Sequence, residues 1–370
     1  MTALSAFLAF AGFATLVILH ELGHFWAAKA VGMRVEKFSL FFPPTLFSVK
    51  RGETEYAIGA IPAGGYVKIS GMNPSEDLPD EVRTRAYYSQ PVWKRIVVIA
   101  AGPLMNLLLA FLLLFVFFWL IGPETGTRNV DAIERGYPAA QVLQPGDALV
   151  AIDGQRGTPR ELSERIATHE CPGRQTDGCK AATPAQVTVQ RDGRERTFEL
   201  TPVYDADAPT GDEDDPRGRT RLGFAYAPGP RDPLPFGNAL DVTVDQFWFI
   251  TKATLELPAR LIDSEQRKEI AGVVGSYETT RQTILNDVAE VVGILAIISL
   301  SLAIVNLFPF LPLDGGHIFW AIVEKIRRKP VSFSVMERAG VVGFMLVILI
   351  FLVGLSNDID RLSGEGFQVR

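Results

Sequence analysis

His20, Glu21 and His24 stand in the run His-Glu-Leu-Gly-His within the first apolar stretch of a 370-residue chain. On a helix, residues i and i+4 lie about one turn apart on the same face. Two imidazoles so spaced can both reach one metal ion at about 2.0–2.1 Å from each nitrogen. Glu21 beside them can take a proton from a water whose pKa a zinc ion lowers to about 7. Three ionisable side chains in a hydrophobic span cost on the order of several kcal/mol each unless paired or bound to metal. The pattern points to metal-assisted hydrolysis at membrane depth.

A catalytic zinc takes a third protein ligand and keeps one position open. The chain has 4 His. His169 falls in a polar region on the other side of the membrane from the expected site. His317 and Asp314 both remain as candidates, and Asp314 is the better placed. It closes Asn306-Leu-Phe-Pro-Phe-Leu-Pro-Leu-Asp314, where Pro309 and Pro312 must interrupt the helix. Backbone freed at membrane depth is tolerated only where it lines a polar cavity.

Four apolar stretches are expected to carry these residues across the bilayer: Leu4–Ala30, Ile96–Ile121, Val291–Phe310 and Ala339–Leu355. With 48% hydrophobic and 21% charged residues, the chain mixes spanning helices with water-exposed segments. Its net charge of −6 lacks the basic stripe of a nucleic-acid binder, and no nucleic-acid partner is expected. The first stretch has no basic flank before it and no small-residue cleavage site, so it reads as a retained span rather than a signal peptide. Lys and Arg concentrate in the first and third loops, whereas residues 122–286 carry 19 Lys/Arg against 26 Asp/Glu. This asymmetry puts the two basic loops in the cytoplasm and the long acidic segment, with both termini, outside.

Within the first loop, Glu55 to Ile69 reads as paired strands around a Pro62–Gly65 turn, leaving an edge able to pair with an extended peptide. Residues 126–204 read as one compact module. Its expected elements are strands at Asn129–Ile133 and Ala148–Ile152, helices at Pro138–Val142 and Glu161–Ala167, and a hairpin whose strands Gln186–Gln190 and Arg196–Leu200 flank Arg191-Asp192-Gly193-Arg194. Cys171 and Cys179, with seven residues between them, either close a small disulfide loop outside the cell or remain two free thiols. Asp205–Arg219 reads as a mobile excursion. Phe236–Ile262 reads as an amphipathic helix, lying on the outer membrane face or packed on the module.

Taken together, these motifs resemble the site-2 protease family, and within it the bacterial regulator-of-sigma-E type with one PDZ domain. The resemblance rests on His20-Glu21-x-x-His24, on Ala101-Gly-Pro-Leu-Met-Asn106 and on Pro62-Ala-Gly-Gly-Tyr-Val-Lys68. It rests equally on Asn306…Leu-Asp314-Gly and on Gly136-Tyr-Pro-Ala-Ala…Gly146-Asp…Ile152-Asp-Gly154. It implies an α-helical polytopic membrane protein with four transmembrane helices, an inserted α+β PDZ-like domain and a membrane-associated β-hairpin. The implied division is 1–125 for the first two spans and hairpin loop, 126–204 for the PDZ-like domain, 205–288 for a flexible segment and juxtamembrane helix, and 289–370 for the last two spans. The resemblance also implies zinc held by His20, His24 and Asp314, with Glu21 as general base. Asn306 then lies against the substrate, and Gly65 and Tyr66 sit on the strand that pairs with it. The implied partners are the lipid bilayer, single-pass membrane substrates such as an anti-sigma factor, and a peptide carboxyl terminus at the PDZ-like domain.

The chain departs from the family pattern at three places. Phe41-Phe42-Pro43 stands where relatives carry Gly-Phe-Gly, Pro312 is displaced by one position, and Ala271-Gly-Val-Val-Gly275 replaces a Gly-Pro-containing run. Two other classes fit the ligands alone: a membrane metal transporter and a non-catalytic PDZ scaffold. The transporter needs polar residues along several spans, and the second and fourth are almost wholly apolar.

Overall fold

A computed structural model describes residues 2–73, 76–209, 217–260, 272–286, 289–329 and 331–363. The chain forms two units, Met1–Ile121 with Leu234–Arg370, and Gly122–Pro233.

The first unit begins with helix α1 (Thr2–Ala30), followed by strands β1 (Val35–Arg51) and β2 (Thr54–Ile69) and helix α2 (Val92–Val116), which runs on as a wider turn over Phe117–Ile121. β1 and β2 fold back on each other in a doubled register. Leu40 lies beside both Gly65 and Ile58, and Ile58 also lies beside Phe47. Residues 35–40 therefore sit between 65–69 and 55–58, and among the described residues 65–69 is paired on one side only.

This overturns the expected turn at Pro62–Gly65, because β2 runs through it without a break. The reversal is at Gly52 instead, with φ 63, between Arg51 and Thr54, which pair. A glycine opening a two-residue loop supplies the positive φ that such a hairpin needs. Val35–Arg51, ahead of the expected hairpin, is strand as well, because it pairs along its length with β2.

The second unit holds β3 (Val130–Ile133), β4 (Ala148–Ile152), helix α3 (Pro159–Ala167), β5 (Ala185–Arg191), β6 (Arg194–Leu200), β7 (Val203–Pro209), β8 (Arg217–Arg221) and β9 (Phe224–Tyr226). Gln155–Arg156, β4, β5 and β6 form one sheet in that order, and β3 pairs with β9. α3 opens with a capping box between Thr158 and Glu161. Asp192 and Gly193 both take positive φ, 53 and 76, as the Asp-Gly hairpin requires. Leu149, Ile152, Leu162, Val187, Val189 and Leu222 pack into the core of this unit.

The unit extends beyond residue 204 because β9 supplies the partner of β3. Asp205–Pro209 and Arg217–Arg219, read as part of a mobile excursion, belong instead to the β7–β8 hairpin. Residues 210–216 of that stretch lie outside the described residues. Cys171 and Cys179 form a disulfide, with Cα atoms 6.2 Å apart.

The first unit resumes with α4 (Phe236–Leu255), α5 (Val273–Asn286), α6 (Glu290–Asn306), α7 (Asp314–Arg327) and α8 (Phe333–Ser363). α4 packs among the apolar helices, with Ile250 in a cluster with Ala110, Leu114, Ala296 and Leu300. Among the described residues, three helices are long and apolar enough to cross a membrane: Phe7–Ala30, Val92–Ile121 and Ser334–Asp360. The third expected span is shorter than Val291–Phe310, because α6 ends at Asn306 and the Leu307–Leu313 segment, with its two prolines, is not helical. At 17 residues, α6 spans about 25 Å against a hydrocarbon core of about 30 Å.

Candidate metal centre

α1 and α2 cross closely because small residues meet at the crossing. A Cβ on Gly23 would run into the Ala101 carbonyl carbon at 2.8 Å, and one on Gly102 would fall onto the His24 ring. Helices that touch backbone to backbone at such residues gain dispersion contacts that larger side chains forbid. The crossing presses His24 against α2, where its Nδ1 lies 2.9 Å from the Val98 carbonyl oxygen. A carbonyl only accepts, so Nδ1 carries the proton and donates it. Nε2 is left with a free lone pair.

That lone pair points at two others. His24 Nε2 is 3.2 Å from His20 Nε2, and Asp314 Oδ2 lies 3.1 Å from the His20 nitrogen and 3.3 Å from that of His24. Oδ2 is buried and meets no donor in hydrogen-bonding geometry. His20 and His24 are 7% and 9% exposed. Four tetrahedral ligands at 2.0–2.1 Å from a zinc ion lie about 3.3 Å from one another, and the three observed separations match. Three acceptor atoms gathered at that spacing, out of water, fit a metal ion, and among the described residues this is the one such group of histidine, cysteine and carboxylate side chains.

Asp314 reaches the group because it is the first residue of α7. The backs of Gly315 and Gly316 rest on the backbone of the preceding segment. A Cβ on Gly315 would meet the Leu307 and Phe308 carbonyls, and one on Gly316 would meet the Leu311 nitrogen at 2.5 Å. The two glycines after Asp314 thus let the interrupted segment fold flat against the start of α7.

A cavity of about 400 Å³ opens onto the three ligands. Glu21, Gly65, Tyr66, Val67, Asn306 and His317 line it. Glu21 interacts with the backbone of Val67, and a Cβ on Gly65 would lie 3.2 Å from its Cγ. The one-sided strand 65–69 therefore runs past the carboxylate next to the ligands. Tyr66 stacks on Phe42 at 6.1 Å between ring centroids. Asn306 is brought to the same cavity as the last residue of α6. His317 lines the wall but is not one of the three converging groups.

His169 lies in the second unit, bonded through Nε2 to Asp153 at 2.8 Å and through Nδ1 to Thr183. Asn106, in the Gly-Pro-x-x-Asn element, is fully buried in α2, and its main-chain carbonyl accepts from Ser299 at 2.9 Å. Phe41 takes φ 70. A bulky residue there is a backbone outlier, of the kind that clusters at functional sites. The residues that the sequence reading did not single out are Gly23, Val98 and Gly102. Two of the three sit inside motifs already quoted, and the glycine in each was the available signal.

Residues 8–350 match the family model for peptidase family M50. The chain belongs to that family. Zinc metalloprotease Rip1 of Mycobacterium tuberculosis is 30% identical to it over 385 residues, covering 91% of each chain. A Brucella suis protein provisionally named a zinc metalloprotease is 29% identical over 359 residues, covering 93% of this chain and 92% of its own. A Nostoc protein with the same provisional name is 29% identical over 366 residues. This M50 peptidase is a zinc metalloprotease with apolar helices suited to a membrane and a β-rich unit inserted between them.

Proposed function

We propose that this M50 peptidase cleaves peptide bonds in the transmembrane segments of single-pass membrane proteins. The observation that carries the reading is the convergence of His20 and His24, from one apolar helix, and Asp314, from the start of α7, on one point beside Glu21. Zinc held there would supply a Lewis acid for the scissile carbonyl and would make a water more acidic. Glu21 is the group beside the ligands that would take a proton from the attacking water and pass it to the leaving amine nitrogen. Asn306, which lines the same cavity, is placed to donate its amide hydrogens to the carbonyl oxygen as charge builds on it. A helical substrate resists attack because its carbonyls are bonded within the helix. Pairing with the free side of strand 65–69, at Gly65 and Tyr66, offsets the helix bonds given up.

In this reading α6 is the fourth span. The basic first and third loops face the cytoplasm, and the metal centre lies toward that side. The second unit lies outside, as its disulfide favours. It acts as a PDZ-like domain that either docks a freshly exposed carboxyl terminus or filters out untrimmed substrates. Removing the whole second unit, residues 122–233, separates the two: loss of a filter releases cleavage of full-length substrates, and loss of a dock stops cleavage.

The decisive experiment is Glu21→Gln in intact membranes. The variant retains zinc and accumulates uncut membrane fragments that the native enzyme removes. Processing at the native rate by a zinc-loaded Glu21→Gln variant would falsify the assignment. A metal transporter or a scaffold with an inert metal site would not depend on Glu21.

A further inference from the structure

One stripe of α2 touches both ligand-bearing helices. Val98 and Gly102, one turn apart, hold His24. One turn before Val98, on the same face, Arg95 meets Glu324 of α7, giving the helical series i, i+3, i+7. The guanidinium and carboxylate face each other as a fork, with Nη1 to Oε2 at 2.9 Å and Nη2 to Oε1 at 2.6 Å. Arg95 is only 9% exposed, and its guanidinium carbon lies 5.9 Å from the centre of the buried Tyr87 ring.

We infer that Arg95 and Glu324 are a positioning pair for the third metal ligand, Asp314, an inference that rests on Asp314 binding the zinc. The segment before α7 is broken at two prolines, so α7 is not held in line by α6. Its direction is set by what it touches sideways. At its start, Gly315 and Gly316 lie on the preceding backbone. Ten residues on, about 15 Å along the axis, the Arg95 fork fixes its far end to the helix that orients His24. A helix pinned at both ends keeps Asp314 Oδ2 at its spacing from the two imidazole nitrogens. A helix free at the far end can tilt, and the carboxylate swings with it. Fork geometry suits this task because it restricts orientation as well as distance.

The test measures zinc affinity, by competition with a chelator, on the full chain in lipid nanodiscs. Glu324→Asp keeps the charge but shortens the reach. Glu324→Gln leaves a buried guanidinium unpaired and can fail for that reason alone. The deciding variant is therefore the double substitution Arg95→Met with Glu324→Met, which removes both charges at similar volume. The expected result is a melting temperature near that of the native protein with zinc bound about 10- to 100-fold more weakly. Glu324→Asp falls between. The charge-swapped pair Arg95→Glu with Glu324→Arg recovers part of the loss.

A double-methionine variant that holds zinc as tightly as the native chain overturns the inference, as does one whose only change is a lower melting temperature. Asp314→Asn separates the two levels of the argument. If it too leaves zinc affinity unchanged, the ligand assignment has failed. If it abolishes binding while the methionine pair has no effect, only the positioning role is lost.

Discussion

His24 donates its Nδ1 proton to the Val98 carbonyl at 2.9 Å, and this bond determines which imidazole nitrogen can face a metal. The acceptor is a main-chain atom of the neighbouring helix, so the ring's orientation depends on how closely α1 and α2 approach. Ligand geometry in this peptidase is thus a property of helix packing as much as of the His-Glu-Leu-Gly-His run.

Gly102→Ala tests that dependence. A Cβ at this position would overlap the His24 ring, so either the ring turns or the helices part. Zinc affinity is expected to fall on the order of 100-fold, with the helical content of the membrane domain retained by circular dichroism. Native zinc affinity in Gly102→Ala would show that the crossing does not set the ring.

Gly65→Val probes the strand beside the base. Its first carbon would lie 3.0 Å from the Ser39 carbonyl and 3.2 Å from Glu21 Cγ, so a branched side chain crowds the carboxylate. Turnover should drop about 10- to 100-fold, since misplacing a catalytic group by about 1 Å costs that much. Zinc content should not change. Equal loss of zinc and turnover would mean that the strand supports the metal centre and not the base.

The metal centre was legible because its signal is local. The i, i+4 spacing of His20 and His24 fixes their common face whatever the tertiary fold. Asp314 was placed by proline chemistry, since a helix broken twice at membrane depth needs a cavity to line. The Asp192-Gly193 hairpin was equally legible, because positive φ at both positions suits few residues. The Pro62–Gly65 turn misled because proline and glycine also fit an extended strand, and the true reversal rests on one glycine, Gly52. The packing of α4 on α2 and α6 was not legible, because an amphipathic pattern records that one face is covered, without recording what covers it. Gly102 and Val98 act through backbone approach, which side-chain types do not encode.

The Cys171–Cys179 disulfide closes a short loop in the second unit. Constraining a loop of about nine residues in the unfolded chain contributes roughly 2–3 kcal/mol in the chain-entropy model. Replacing both cysteines with serine should lower the unfolding free energy of that unit by about this amount, read by hydrogen exchange of the β4 and β5 amides. Zinc affinity should not move, since every candidate ligand belongs to the other unit. A change in zinc binding on reduction would contradict this independence.

Acid sensitivity of the second unit should trace to Asp147. This residue is 2% exposed and accepts from Arg191 Nε and Nη2, each at 2.6 Å, and from the Gln144 amide at 2.8 Å. The Arg191 guanidinium holds its carboxyl below the usual range, against the opposing effect of burial. An unfolded aspartate titrates near about 3.9. Because the folded value is lower, the unfolded chain binds the proton first as pH falls. The contribution of Asp147 is therefore complete above the unfolded pKa and is lost as pH drops through the folded one. Between pH 6 and pH 2, protection of the β4–β5 amides, corrected for intrinsic exchange rates, should decline in the native chain. In Asp147→Asn it should be lower at pH 6 and decline less steeply. If both proteins lose protection along the same curve, the acid response belongs to other carboxylates and the Asp147–Arg191 pair contributes nothing that titrates.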